Sequence, residues 1–396
     1  MKSKEIFDVY AKYVAPNYGR QPLALVSGKG STAVDADGKK YLDLVAGIAV
    51  NAVGHAPEAV ISALKQAKVL VHTSNLFYTV PQGLLAKELV RLSFPSKALF
   101  INSGAEAVES AIKLARKYQY DKQTGRFEII AMEGSFHGRT YGALSCTGQK
   151  KYHKGFEPLL PGVLHVPFAD LDALQSAVGE KTAAIIIEPV QGESGVHPAP
   201  AEYLKQVRKL CDEKGILLIF DEVQCGMART GKWFGFHHSG VTPDIMTLAK
   251  GLGGGFPIGA MLAKPEIMDS FGPGTHASTF GGNPLACSAA LAVIETIKKK
   301  KILQNVRAVG AFAKKRLEKL KKEIPAIKDV RVVGLMVGIE LDRPGADIVA
   351  AAREKGLIIN CTNERVIRFV PALNITQKEM DKGITILRDV LCQKIS

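Results

Sequence analysis

Short apolar runs closed by a polar or acidic residue, alternating with helix-period segments, constrain this sequence more than any other feature. The sharpest is Ile216-Leu-Leu-Ile-Phe-Asp221-Glu222. It opens a stretch that continues through Thr247-Leu-Ala-Lys250-Gly-Leu-Gly-Gly-Gly255 to Gly259. Runs this short and this continuous read as strands buried on both faces. Ala98 to Ile101, Phe127 to Met132, Val163 to Val166 and Ala183 to Ile187 are of the same kind. Their alternation with helical patterns, such as Gly104 to about Tyr118, predicts an α/β fold on a mostly parallel sheet.

Both ends of the chain read differently. Residues 1–50 look like an arm with short strands, Asp37-Gly38 forming the turn between two alternating runs. A long helix starts near Pro284 and leads into a lysine-rich helix. Strand-like pieces at Arg331 to Leu341, Leu357 to Asn360 and Val366 to Val370 then predict a smaller α+β domain. The expected division is 1–50, 51–284 and 285–396, within the two or three domains that 396 residues allow.

Lys plus Arg number 52 against 38 Asp plus Glu, a formal charge of +14. Much of the excess falls between Lys298 and Lys322, where Leu317 and Leu320 give an amphipathic helix a solvated basic face. No aromatic residues interleave with it as a nucleic-acid surface would require. The six cysteines show no paired spacing and the nine histidines no His-Glu-x-x-His pattern, so neither a disulfide framework nor a zinc site is expected. No apolar run approaches a membrane span, and the N-terminus lacks the apolar core of a signal peptide. The expectation is a cytoplasmic protein with no metal, nucleic-acid or membrane partner.

Five stretches carry possible chemistry. Ser103 and Glu106 form a Ser-x-x-Glu capping box after a strand. The helix start at Gly104 and Ala105 is therefore either an ordinary capped end or an anion site. Glu133-Gly-Ser-Phe-His-Gly-Arg-Thr is either an irregular loop without chemistry, His137 a hydrogen-bonded loop residue, or a loop exposing Phe136 or His137 to stack on a flat ligand and Arg139 to fork a carboxylate. Glu188 ends one buried run, with Glu193 in the loop beyond. Together with Asp221 they would gather on the carboxyl edge of the sheet, where ligands bind open α/β sheets. Ser278 and Thr279 offer hydroxyls to a phosphate or to the helix that follows. Asp221-Glu222 after four apolar residues also looks like a nucleotide-hydrolase strand, but that reading needs Gly-Lys followed by Ser or Thr. The Gly-Lys pairs, at Gly28, Gly38 and Gly231, are followed by Gly30, Lys40 and Trp233. The ATPase reading fails.

In this order and combination the stretches resemble the class III (ornithine/4-aminobutyrate-type) pyridoxal-phosphate aminotransferases, over nearly the whole chain. The resemblance implies the fold-type I architecture: a mostly parallel, mixed seven-stranded sheet in a large domain, with a smaller α+β domain. It makes Lys250 the residue that holds pyridoxal 5'-phosphate through its amine and moves the proton. Asp221 becomes the partner of the pyridine nitrogen. Ser103, Gly104 and Ala105 match the phosphate cradle and Phe136 the stacking aromatic, with His137, Glu188, Val223 and Gln224 beside the cofactor. Thr279 matches a hydroxyl reaching the partner subunit's cofactor phosphate, which implies a homodimer with Ser278 and Thr279 contributed across the interface. Arg139 and Arg368 match two carboxylate-binding arginines, the second masked by Glu193 for ω-amino substrates. Ser278 and Tyr78 join the substrate set.

Segments around Gly47, Lys250 and Arg368 look most like members acting on N-acetylornithine, with 2-oxoglutarate as acceptor and glutamate as product, in arginine biosynthesis. Ile48 stands where ornithine enzymes are expected to carry a tyrosine. Succinyldiaminopimelate, 4-aminobutyrate, ornithine and a carrier-linked lysine stay as alternative donors, and a non-catalytic cofactor-binding regulator as a different class. Cys225, Ala228 and Ala277 depart from the family's usual residues, none of them at Lys250 or Asp221.

Overall fold

The computed structural model describes residues 1–395. Strands β1 (Leu25–Lys29), β2 (Thr32–Asp35) and β3 (Lys40–Asp43) follow a helix over Ser3–Tyr13. The arm ahead of the short strands is thus helical. The hairpin turn at Asp37-Gly38 is present, with β2 and β3 paired antiparallel.

Strands β4 (Lys97–Ile101), β5 (Glu128–Met132), β6 (Val163–Val166) and β7 (Thr182–Ile187) come next. The two-residue β8 (Val190–Gln191) and β9 (His197–Pro198) form a small ribbon, and β10 (Leu217–Asp221), β11 (Ile245–Leu248) and β12 (Gly259–Ala263) follow. Seven of these make one sheet in the order β4-β12-β11-β10-β7-β5-β6. Within it β12 runs antiparallel to both neighbours, while β11, β10, β7, β5 and β6 are mutually parallel. Every residue of β7, β10, β11 and β12 is buried, as continuous apolar runs between helical layers must be. Strands β11 and β12 are not among the apolar runs that mark strands in the sequence.

Beyond the sheet, helices Pro284–Lys299 and Ile302–Glu323 are separated at Lys301, whose φ of 52° breaks the helical run. The piece from Arg331 to Leu341 is not one strand. It is the end of a hairpin, β13 (Ile327–Val333) and β14 (Met336–Leu341), folded at Gly334 with φ 59°. With β16 (Asn360–Thr362) and β17 (Val366–Phe369) these form a second sheet, β13-β14-β17-β16. The short β15 (Leu357–Ile358) instead adds in parallel to β3, so a strand from near the C-terminus completes the N-terminal sheet.

The two regions are joined by a buried arginine in the loop after β10. Arg229, 2% exposed, donates from Nη1 to the carbonyls of Leu335 and Pro371. It thereby ties the loop after β10 to both the β13–β14 turn and the end of β17. Ala228 beside it adopts φ 71°, a conformation that glycine takes without strain and alanine does not. The departure at Ala228 from the glycine that the resemblance leads one to expect therefore falls on a left-handed backbone position.

Candidate active site

Parallel pairing brings the acid and the lysine together. Asp221, the last residue of β10, stands opposite Thr247 in β11, and Lys250 follows three residues on. The Thr247 hydroxyl donates to Asp221 Oδ1 at 3.1 Å and the Val223 amide to the same oxygen at 3.0 Å. Asp221 Oδ2 lies 2.7 Å from His137 Nδ1, with both side chains buried. Burial opposes a charge on His137, but the bond to Asp221 and the nearby Glu188 outweigh it and raise its pKa. The other ring nitrogen, Nε2, is buried without a partner.

Lys250 has φ 42°, an uncommon conformation for a residue with a side chain and one found at functional turns. Burial pushes its amine below the ordinary lysine range, partly offset by Glu193. A lowered pKa keeps more of the amine neutral, as a nucleophile or base requires.

The Lys250 side shares a cavity of about 420 Å³ with Asn102, Ser103, Gly104, Ala105, Phe136, His137, Arg139, Glu188, Asp221, Val223 and Gln224. The helix Gly104–Asp121 begins at its edge. Ser103 caps it by accepting from the Glu106 amide at 3.2 Å. The expected capping box is only half made, because Glu106 reaches back to the Asn102 amide, at 2.5 Å, rather than to that of Ser103. The first-turn amides of Gly104 and Ala105 have no partner within the helix. A Cβ on Gly104 would come within 2.8 Å of Val223, and one on Gly138 within 2.8 Å of Ala105. The loop carrying Phe136, His137 and Arg139 therefore lies directly on the helix start, at a contact only glycine permits.

Phe136 meets Tyr152 edge to face, and the exposed Arg139 stacks over Tyr152 with its guanidinium carbon 3.8 Å from the ring centroid. The Phe136 amide donates to Glu188 Oε2 at 3.1 Å. Behind Gln224, the fully buried Arg368 donates from Nη1 to Glu193 Oε1 at 2.6 Å and to the Gly192 carbonyl at 3.0 Å. Gln224 links the pair, accepting from Arg368 at 3.3 Å and donating to Glu193 at 3.0 Å. Burial alone would raise the Glu193 carboxyl, but the Arg368 and Lys250 charges hold it at about 2.

Five expected site residues are outside the cavity lining: Glu193 and Arg368, paired behind Gln224, and three that lie elsewhere. Tyr78 and Thr279 are exposed and outside the cavity lining, while Ser278 accepts from Asn102 Nδ2 at 3.1 Å and is partly buried. Sequence reasoning passed over Thr247, Val50 and the segment Gly255 to Ile258, which all belong to the site or its support. Glu222, read at the strand end beside Asp221, was given no role in the site. That acid, pushed up to about 7 by burial, turns away to accept from the amides of Gly235 and Phe236. None of these carried a local signal beyond lying in or next to a motif.

This set fits pyridoxal phosphate. Unpaired amides at a helix start suit a phosphate, Asp221 suits a protonated ring nitrogen, and the Lys250 amine suits a carbonyl carbon. Gly104 and Gly138 keep the backbone close, and the volume exceeds that of one substituted ring. Among the described residues, no group of three or more His, Cys, Asp or Glu is arranged to hold a metal, and no helix is long and apolar enough to cross a membrane.

The class-III aminotransferase family model matches residues 13–391. The acetylornithine aminotransferase of Methanocaldococcus jannaschii is 53% identical over 396 residues, 99% of each chain. The ornithine aminotransferase structure from Toxoplasma gondii ME49 superimposes with a TM-score of 0.96 at 34% identity, covering 100% of this chain and 96% of that one. A second Toxoplasma gondii structure of that enzyme, TM-score 0.95 and 34% identical over 99% and 94% of the two chains, is described as having partial occupancy of PLP at its active site.

Glu188 allows a test of the site's electrostatics. Burial raises its carboxyl to about 7, against about 4.3 for an unfolded glutamate. Between those values the folded chain keeps a proton that the unfolded chain has released. The contribution to stability is therefore full below the lower value and lost as pH rises through the upper one. Glu188→Gln should flatten the fall in unfolding free energy of the cofactor-free protein across this window, by on the order of 3 kcal/mol. Equal slopes in variant and parent, measured by urea unfolding at a series of pH values, would contradict the assignment.

Proposed function

The chain belongs to the class-III aminotransferases, a pyridoxal-phosphate-dependent family, and we propose that it moves the terminal amino group of N-acetylornithine to 2-oxoglutarate. The products are N-acetylglutamate semialdehyde and glutamate, a step of arginine biosynthesis. The observation that carries the proposal is the buried Arg368–Glu193 pair behind a cavity that Arg139 also lines. It supplies two carboxylate sites, one of them covered. The donor is chosen because the M. jannaschii relative named above carries that name at 53% identity.

Ser103, Gly104 and Ala105 would hold the cofactor's phosphate, Phe136 and Val223 would flank its ring, and Gln224 would lie beside it. When bound, pyridoxal phosphate supplies a sink for the electrons left on the substrate carbon as a proton departs. Asp221 would keep the ring nitrogen protonated, and His137 and Thr247 orient Asp221. Glu188 fixes the loop through the Phe136 amide. Lys250 would hold the cofactor through Nζ, and the same Nζ would serve as the base that takes the proton from the substrate carbon and as the acid that gives it back.

Arg139 forks the α-carboxylate of N-acetylornithine. The amine-bearing carbon of that donor has no carboxylate, so Glu193 stays on Arg368 and keeps a buried cation paired. Glutamate and 2-oxoglutarate bring a second carboxylate, which takes Glu193's place. One pocket can thus serve both half-reactions. In the same reading residues 51–284 bind the cofactor, and 1–50 with 285–396 form the smaller body.

The working unit is a homodimer in which Ser278, Thr279 and Tyr78 approach the partner's site. An exposed apolar strip supports this: Leu76, Phe77, Tyr78, Val80 and Phe280 are each more than half exposed. The strip is held together by Asn75, which donates to the carbonyls of Ser278 and Gly281. Contiguous apolar surface of this kind marks an interaction face.

Light scattering should give twice the chain's mass, and a single chain's mass would exclude the shared site. For the reaction, kcat/KM with 2-oxoglutarate should favour N-acetylornithine over ornithine, 4-aminobutyrate and succinyldiaminopimelate by at least about tenfold, about 1.4 kcal/mol of transition-state binding. A preference for 4-aminobutyrate would refute the donor. Turnover of no amine at all would leave the protein a cofactor-binding regulator.

A further inference from the structure

Arg368 has partners on two sides, and they differ in kind. Nη1 faces Glu193, Gly192 and Gln224, residues of the loop beyond β8 and the turn after β10. The partner of Nη2 comes from the sheet itself. Asn360, the first residue of β16, stands directly opposite Arg368 in the antiparallel register with β17. Both ends of its amide are satisfied in one orientation. Oδ1 then accepts from Arg368 Nη2 at 2.8 Å, and Nδ2 donates to the Arg368 backbone carbonyl at 3.2 Å. The second bond anchors the amide so that its oxygen, not its nitrogen, faces the guanidinium.

We propose that Asn360 is a positioning residue that sets acceptor specificity, giving Arg368 a neutral partner so that its charge is left for a dicarboxylate whenever Glu193 withdraws. This rests on the reaction proposed above. The physical argument is one of charge accounting. Arg368 is fully buried, and a buried cation that loses its carboxylate pays a large desolvation cost unless other oxygens remain on it. Gly192 O and Asn360 Oδ1 are two such oxygens, and neither cancels the positive charge. An acid at position 360 would cancel it permanently, whatever Glu193 did. An aliphatic residue would leave Nη2 without its partner and free the guanidinium plane to turn away from the cavity.

The holoenzyme carrying Asn360→Asp or Asn360→Leu tests this against the parent. Three quantities are read: the single-turnover rate with N-acetylornithine, KM for 2-oxoglutarate, and the dissociation constant of glutarate by calorimetry, glutarate being a dicarboxylate with no reacting carbonyl. In Asn360→Asp, KM for 2-oxoglutarate and Kd for glutarate should both rise at least about tenfold. The donor half-reaction should lose at least ten times less, and Asn360→Leu should fall between parent and Asp. Equal losses in the two half-reactions, or a Leu variant as impaired as the Asp variant, would reduce Asn360 to packing and overturn the proposal. So would an unchanged glutarate Kd. A parent that binds glutarate but turns over no donor would instead refute the reaction. The glutarate constants of the variants would still decide the role of Asn360.

Discussion

The hydroxyl of Thr247 on Asp221 is the contact from which the site follows. It exists because β10 and β11 run parallel in a register that sets those two residues opposite each other. The same register carries the chain to Lys250 three residues later, on the same edge of the sheet. A carboxyl group that is 3% exposed is tolerated only if its oxygens are occupied. The Val223 amide, the Thr247 hydroxyl and His137 occupy them. Each comes from a different segment, so the acid also pins together the turn after β10, the end of β11 and the Phe136–Arg139 loop.

Around that anchor, charge is distributed so that each group has a separate task. Asp221 and Glu222 are consecutive acids, yet one lines the cavity while the other is buried against the turn at Gly235 and Phe236. Glu193 is held ionised beside Arg368, whereas burial raises Glu188 to about 7. Lys250 lies in the field of Glu193, Arg368, Asp221 and Glu188, and its amine is lowered chiefly by burial. Two glycines with no room for a Cβ, Gly104 and Gly138, let the loop and the helix start approach closely enough for one ligand to touch both.

Much of this was legible in the sequence. The buried runs ending at Ile101, Met132, Val166, Ile187 and Asp221 became strands within a residue or two, because continuous apolar segments bounded by turns leave few alternatives. Strands β11 and β12 were missed for a physical reason. Gly259-Ala-Met-Leu-Ala is rich in residues of low strand propensity and follows a glycine cluster, so it reads as spacer. Its antiparallel place between β4 and β11 is a tertiary fact. The hairpin at Gly334 was hidden inside one apolar piece, since Gly334 alone marks the fold-back. Motif residues of the cofactor cavity were visible through local chemistry and family resemblance together. The pairing of Glu193 with Arg368, 175 residues apart, came from resemblance only. Asn360 and Thr247 had no local signal, because their meaning lies in which residue stands across the ladder.

If a single cavity serves both half-reactions, with Glu193 and a dicarboxylate taking turns on Arg368, the donor product must leave before the acceptor binds. Initial rates measured against N-acetylornithine at several fixed concentrations of 2-oxoglutarate test this most directly. Parallel lines in the reciprocal plot are predicted, the pattern of a double displacement. Lines that intersect would mean that donor and acceptor occupy the enzyme together, and would contradict the shared, alternately covered site.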